Sequence, residues 1–181
     1  MLEFLARRSL RRFSERYDYD VTYMRHMLDI SPSGFFKFSR LAQLSLHRES
    51  APTAAVYAAK LVGALTEDCG PCVQLVSNMA REAGRPADEI AAVLADDAAA
   101  LEPDARLGAA FARALVVRGP SLQAEREAVR ARWGDKGVID LTLAVQIGRV
   151  FPMVKAGLGF AEACSLVEID GRRLPVARAA A

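Results

Sequence analysis

At 181 residues the chain is long enough to bury one core and too short to argue for two. Its formal net charge of +2 is small. Arg7, Arg8, Arg11, Arg12 and Arg16 cluster near the start, but carboxylates are spread through the rest, so the chain does not read as a nucleic-acid binder. Alanine, leucine, valine, arginine and glutamate dominate and alternating strand patterns are hard to find, which points to an all-α fold. Asp140, Arg149 and Lys155 interrupt the most apolar region, so no uncharged stretch approaches the ~20 residues that span a bilayer. Met1-Leu2-Glu3-Phe4 lacks the apolar core of a signal peptide, and the expectation is a cytoplasmic protein without a membrane role.

In chain order, residues 1–18 set Leu2, Phe4, Leu5, Leu10 and Phe13 against the arginines in an amphipathic pattern. That pattern suits an arm on a neighbouring subunit, or a weak binder of anionic surfaces. Two short helices are predicted next: one over 19–30, ended by Ser31-Pro32, and one over 33–47. Phe35, Phe36 and Phe38 read as core or subunit contact. A third helix starts near Ala51-Pro52 and carries Val56, Tyr57, Leu61 and Leu65. Further helices are predicted over 86–94, from Pro103 to Gly119-Pro120, over 121–133 up to Gly134, and from about Val138 with Pro152 inside as a kink. This last helix is the expected centre of the bundle or a subunit interface. The division expected is an N-terminal helical extension over 1–50, a helical domain over 51–166 and a loosely held tail over 167–181.

The stretch with chemistry is Glu67-Asp68-Cys69-Gly70-Pro71-Cys72. Pro71 lacks an amide hydrogen and is cheap only in a helix's first turn, so a helix begins at the cysteines and ends at Gly84. Free N–H groups and the positive dipole end at that point favour a thiolate, the form that attacks peroxides and disulfides. Cys69, Cys72, Val76, Met79 and Ala83 recur at steps of three and four, so both thiols face inward. A close thiol pair without an export signal indicates redox or metal chemistry over a disulfide framework.

The chain resembles the alkylhydroperoxidase D-like, carboxymuconolactone decarboxylase-like family over roughly residues 50–160. The resemblance rests on Cys69-Gly70-Pro71-Cys72 heading a helix, then Ala80-Arg81-Glu82-Ala83-Gly84, Asp88-Glu89-Ile90, Leu101-Glu102-Pro103-Asp104-Ala105-Arg106, Phe111-Ala112-Arg113-Ala114-Leu115 and the helix over 141–149. It implies a helical bundle assembled as a homo-oligomer (dimer, trimer or hexamer) and a pair that cycles between dithiol and disulfide. By that analogy Cys72 attacks the peroxide and Cys69 resolves the sulfenic acid. The substrate is then an organic hydroperoxide or a disulfide, reduced by a dithiol and without a cofactor. The family's fuller pattern adds a histidine one turn after the second cysteine and a glutamate about a dozen residues before the first. Those positions hold Val76 and Tyr57 here.

The groups that could replace that relay are few. Glu67 is the first choice of base; Tyr57 could hold a water or the hydroperoxide; His26, His47 and Gln74 could fold toward the thiols. Asp68 suits a helix cap. Cys164 reads as a small buried hydrophobe. Cys-Gly-Pro-Cys also looks like the thioredoxin active site, but residues 51–66 do not read as a buried strand and no βαβ pattern follows. Zinc would need two more ligands from the scattered Cys164, His26 and His47, so no metal is expected. The alternative to an enzyme is a helical oligomer whose cysteine pair senses oxidants.

Overall fold

The structure, a computed structural model, describes residues 1–161, 166–169 and 171–175. The chain runs through α1 (Leu2–Tyr17), α2 (Thr22–Ile30), α3 (Pro32–Ser39), α4 (Leu41–Leu44), α5 (Thr53–Leu65), α6 (Gly70–Glu82), α7 (Ala87–Leu94), α8 (Pro103–Val117) and α9 (Ser121–Gly157). A hairpin of β1 (Leu166–Ile169) and β2 (Arg172–Pro175) follows. The all-α expectation holds in outline, and local chemistry explains most boundaries. The Ser31 hydroxyl accepts from the Gly34 N–H at 3.2 Å and Pro32 opens α3, so α2 stops where a cap and a proline meet. Gly84 adopts φ 82°, and the Gly84 and Arg85 N–H groups donate to the Arg81 and Ala80 carbonyls, which closes α6 in a Schellman turn. Gly134, at φ 70°, breaks α9 into two helical stretches where the sequence places an end.

At the centre lies α5, with Ala54, Ala55, Val56, Ala58, Ala59, Leu61, Val62 and Ala64 all buried. A helix so small-sided packs backbone to backbone. A methyl group added at Gly148 of α9 would lie 2.3 Å from the Lys60 carbonyl oxygen, and one at Gly63 would lie 2.4 Å from that of Val145. On another side, a methyl at Gly108 of α8 would lie 2.4 Å from the Ala55 carbonyl oxygen. The late apolar helix, expected at the centre of the bundle or at a subunit interface, packs along α5 as α9 through Leu141, Ala144, Val145 and Gly148, and it is α5 that touches both α8 and α9 most closely. By length and composition α9 could cross a membrane, with an apolar window of mean hydropathy 1.4. Here 44% of that window is buried inside the fold.

The approach to α5 is fixed by Asp140, which is 0% exposed. Its carboxylate accepts from the N–H groups of Glu49, Ser50 and Ala51 at 2.7–3.1 Å. His47 Nε2 lies 3.4 Å away. Burial pushes this carboxyl up, but the three N–H donors, with His47, outweigh it and hold it below the ordinary carboxylate value.

A second, smaller core gathers Leu10, Tyr19, Val21, Tyr23, Leu28 and Phe35 from the N-terminal helices. It is tied to α6 by Arg16 and Tyr17, which pair with Glu82, and by Asn78 Nδ2, which donates to the Tyr17 carbonyl at 3.2 Å. An antiparallel hairpin of β1 and β2 takes in the start of the segment expected as a tail over 167–181 and turns at Gly171, φ 76°; residues 176–181 lie outside the described residues. Val167 and Ile169 alternate into the main core while Glu168 faces out, the period of two that a half-buried strand requires.

Two outcomes follow from this packing. Gly148→Ala sets a methyl against backbone that cannot rotate aside, and it should cost about 3 kcal/mol or more in urea unfolding; a loss under ~1 kcal/mol would contradict the close contact. Asp140 contributes stability that is complete above its unfolded-state pKa, near 4, and is lost as pH falls through its lower folded value. Asp140→Ala should therefore lower stability at neutral pH by about 3 kcal/mol, and flatten the acid limb of a stability–pH curve.

Candidate functional site

The cysteine pair sits where α5 hands over to α6. Asp68 takes a left-handed turn, φ 47°. Cys69 follows as the N-cap in an extended conformation, and Gly70, Pro71 and Cys72 form the first turn, as the proline requires. No side chain caps this helix end, so the expected capping role of Asp68 is not taken up. The Cys72 and Val73 N–H groups both donate to the Cys69 carbonyl at 3.0 Å. Cys69 and Cys72 are joined as a disulfide, with Cα atoms 5.2 Å apart. Both residues are buried, at 1% and 4% exposure.

Cys72, but not Cys69, lines a cavity of about 510 Å³ between the two cores. The walls are mainly apolar: Leu10, Phe13, Phe35, Leu75, Val76 and Phe151 are among them, with Leu2 and Leu5 of α1 at exposed positions. The polar groups facing it are few. Tyr19, in the turn between α1 and α2, places its hydroxyl 3.7 Å from the Cys72 sulfur; a disulfide sulfur carries no proton, so the hydroxyl is the donor. Tyr19 is held from behind: its N–H donates to the Ser14 carbonyl at 3.2 Å, its carbonyl accepts from the Ser14 hydroxyl at 2.7 Å, and Phe13 meets its ring edge-on. The Lys155 ammonium, on a buried side chain, lies 5.6 Å from the centre of the same ring. Burial pushes the Tyr19 hydroxyl pKa up, against a smaller lowering from Tyr23. Lys60 also lines the cavity; it donates to the Ser45 carbonyl at 2.6 Å, and burial, aided by Arg48, pulls its pKa down to about 8.

The residues expected to assist the thiols are placed otherwise. Glu67 accepts from Arg149 Nε at 2.6 Å, which neutralises its charge, and it does not line the cavity. Tyr57 packs on the main core with the Lys60 ammonium 4.7 Å from its ring centre, and it too lies outside the cavity wall. Burial, then Glu82, raises its pKa. His26 stacks near Phe160 and His47 faces Asp140. Gln74 is spent on β1, with its amide donating to the Glu168 carbonyl and accepting from the Glu168 N–H, each at 2.7 Å. Cys164 lies outside the described residues. Among the described residues, no cluster of histidine, cysteine, aspartate and glutamate is placed to hold a metal.

Tyr19, Tyr23, Lys60, Ser9, Ser39 and Ser45 are the polar residues of the cavity lining, and sequence reasoning singled out none of them. Tyr19 carried no helical signal, because it lies in the turn between α1 and α2 and shares no helix face with Tyr23.

Fold and site together define an all-α protein with a Cys-x-x-Cys pair at disulfide distance, one sulfur of which faces an apolar cavity. Comparison with family models, with curated proteins and with solved structures found no match.

The asymmetry of the pair is measurable. After reduction, N-ethylmaleimide enters through the cavity and should modify Cys72 at least about tenfold faster than Cys69, read by peptide mass spectrometry of briefly labelled protein. Equal labelling, or faster labelling of Cys69, would contradict the cavity geometry.

Proposed function

We propose that this chain is a thiol-dependent redox protein of the alkylhydroperoxidase D-like kind, acting in the cytoplasm as a homo-oligomer. It reduces an organic hydroperoxide, or a disulfide, through Cys72 and Cys69 at the expense of a dithiol. The observation that carries this reading is the bonded pair at the first turn of α6 with Cys72 alone opening on an apolar cavity.

In the reduced form the Cys72 thiolate attacks the distal oxygen of ROOH. The O–O bond breaks, and the sulfur becomes a sulfenic acid while RO⁻ takes a proton to leave as ROH. The Cys69 thiol then displaces the hydroxyl of the sulfenic acid, forming the disulfide and water. An external dithiol returns both sulfurs to thiols and is itself oxidised to a disulfide, so two electrons pass to the peroxide for each turnover. The Tyr19 hydroxyl, 3.7 Å from the Cys72 sulfur, is placed to donate to the thiolate and then to the leaving oxygen. The apolar walls suit a hydrocarbon body on the peroxide.

The deep burial of both sulfurs supports a second reading, a helical oligomer whose cysteine pair senses oxidants without turnover. A steady-state assay separates the two. With dithiothreitol and cumene hydroperoxide the protein should consume peroxide, and Cys72→Ser should lower the rate by about a hundredfold or more. Cys69→Ser should stop turnover after one equivalent. Normal consumption by Cys72→Ser would remove the redox reading, and reversible oxidation of the wild-type pair with no turnover would leave only the sensor.

A further inference from the structure

The first turn of α1 leaves large apolar side chains in water. Leu2, Phe4 and Leu5 are 69%, 69% and 53% exposed. Leu2 and Leu5, with Ala6 and Ser9, also line the cavity, so one lip of it is apolar and open to solvent. Beyond that turn the helix becomes basic, with Arg7, Arg8, Arg11, Arg12 and Arg16 against two acids, Glu3 and Glu15. Arg7, Arg11 and Arg16 face Asp29, Glu15 and Glu82, whereas Arg8 and Arg12, both exposed, pair with no acid among the described residues. Steps of four residues keep Phe4, Arg8 and Arg12 on one outward side of the helix. Another part of the cavity wall comes from residues 32–44, where Lys37 and Arg40 are exposed and no acid occurs. The whole chain carries only +2, so these two segments hold more than its net positive charge and the remainder is net negative.

We propose that α1 docks this face on an anionic lipid bilayer, with the lip of the cavity at the acyl chains. A helix rises about 1.5 Å per residue, which sets Arg8 and Arg12 roughly 6 and 12 Å along the axis from Phe4. Interfacial helices bury their apolar groups about 5–10 Å deep, so with Leu2, Phe4 and Leu5 at that depth the guanidinium groups stand level with the phosphates. Anionic headgroups supply the counter-charge that Arg8 and Arg12 lack within the fold, and the acyl chains take three apolar side chains out of water. A two-fold contact with a second copy fits less well, because it would set the same arginines against each other. The contact lies on the surface and needs no spanning segment, but it departs from the expectation of no membrane role. Resting on the redox reading above, it also names the substrate class: an apolar hydroperoxide dissolved in the bilayer, which reaches Cys72 past Leu2 and Leu5.

Docking is measured on the oxidised full chain, where the sulfurs cannot turn over, so it and the redox reading fail separately. In vesicle flotation, wild-type protein should bind phosphatidylcholine vesicles containing about one-third phosphatidylglycerol at least about tenfold more tightly than phosphatidylcholine alone, and about 0.5 M salt should release it. Arg8→Gln with Arg12→Gln should weaken binding about thirtyfold, whereas Arg8→Lys with Arg12→Lys should cost no more than about threefold. Phe4→Ser should weaken it about tenfold. In Phe4→Trp protein, bromine-labelled acyl chains should quench the new indole beyond the signal of the native Trp133. Methyl linoleate hydroperoxide dissolved in the same vesicles should be consumed at least about tenfold more slowly by the glutamine variant, with cumene hydroperoxide in solution consumed at the wild-type rate. Equal rates of the variant and wild type on both substrates would overturn the delivery of substrate from the bilayer. The docking itself is overturned by no binding to the anionic vesicles, by equal binding to neutral ones, or by binding that the glutamine variant keeps. It is also overturned if vesicles are not bound and Phe4→Ser dissociates an oligomer, which would assign the face to a second copy. Docking as stated without peroxide turnover would remove the redox reading and leave the bilayer contact standing.

Discussion

The close contact of α5 with α8 and α9 is the constraint from which the rest is arranged. Three glycines, Gly63, Gly108 and Gly148, remove the side chains that would keep the backbones apart, and the alanines of α5 bury what remains. The turn after α5 delivers Cys72 to the cavity whose far wall holds Ile147, Gly148, Phe151 and Pro152 of α9. Gly148, whose missing side chain makes room for the α5 backbone, also lies on the cavity wall. Asp140 secures the other end of α5 by gathering three backbone N–H groups that would otherwise be unpaired at the start of the core.

The site sets opposing influences on a reduced Cys72. The first turn of α6 and the Tyr19 hydroxyl favour a thiolate, while the apolar cavity disfavours any charge. Glu67 would have added a repulsive charge two residues before Cys69, but its ion pair with Arg149 removes most of it. The acids and histidines that sequence proximity or chemistry suggested lie outside this cavity, and the Tyr19 hydroxyl at 3.7 Å is the group that meets the Cys72 sulfur.

Much of the fold was legible because helix ends carry explicit chemistry: Ser31-Pro32, Pro71, Gly84, Pro103 and Gly134 each mark a boundary that the structure keeps. The hairpin was not, since Leu166–Ile169 is only four residues and its alternation is lost among the flanking charges. The central role of α5 was hidden by its alanines, which score as weakly apolar yet permit the closest packing. The cysteine pair could be found by spacing alone. Its partners could not, because proximity in sequence favoured Glu67 and Gln74, while the contact to Cys72 comes from Tyr19, more than fifty residues earlier. Spacing reports neighbours on one helix, and the cavity is built from several.

The central claim is that Cys72 is the nucleophile of a redox pair facing an apolar cavity. Trapping with dimedone after one equivalent of cumene hydroperoxide tests it most directly, using Cys69→Ser and Cys72→Ser proteins and intact-mass detection. The account predicts a sulfenic-acid adduct on Cys72 in the Cys69→Ser protein and none in the Cys72→Ser protein. An adduct confined to Cys69, or no adduct in either protein, would contradict it.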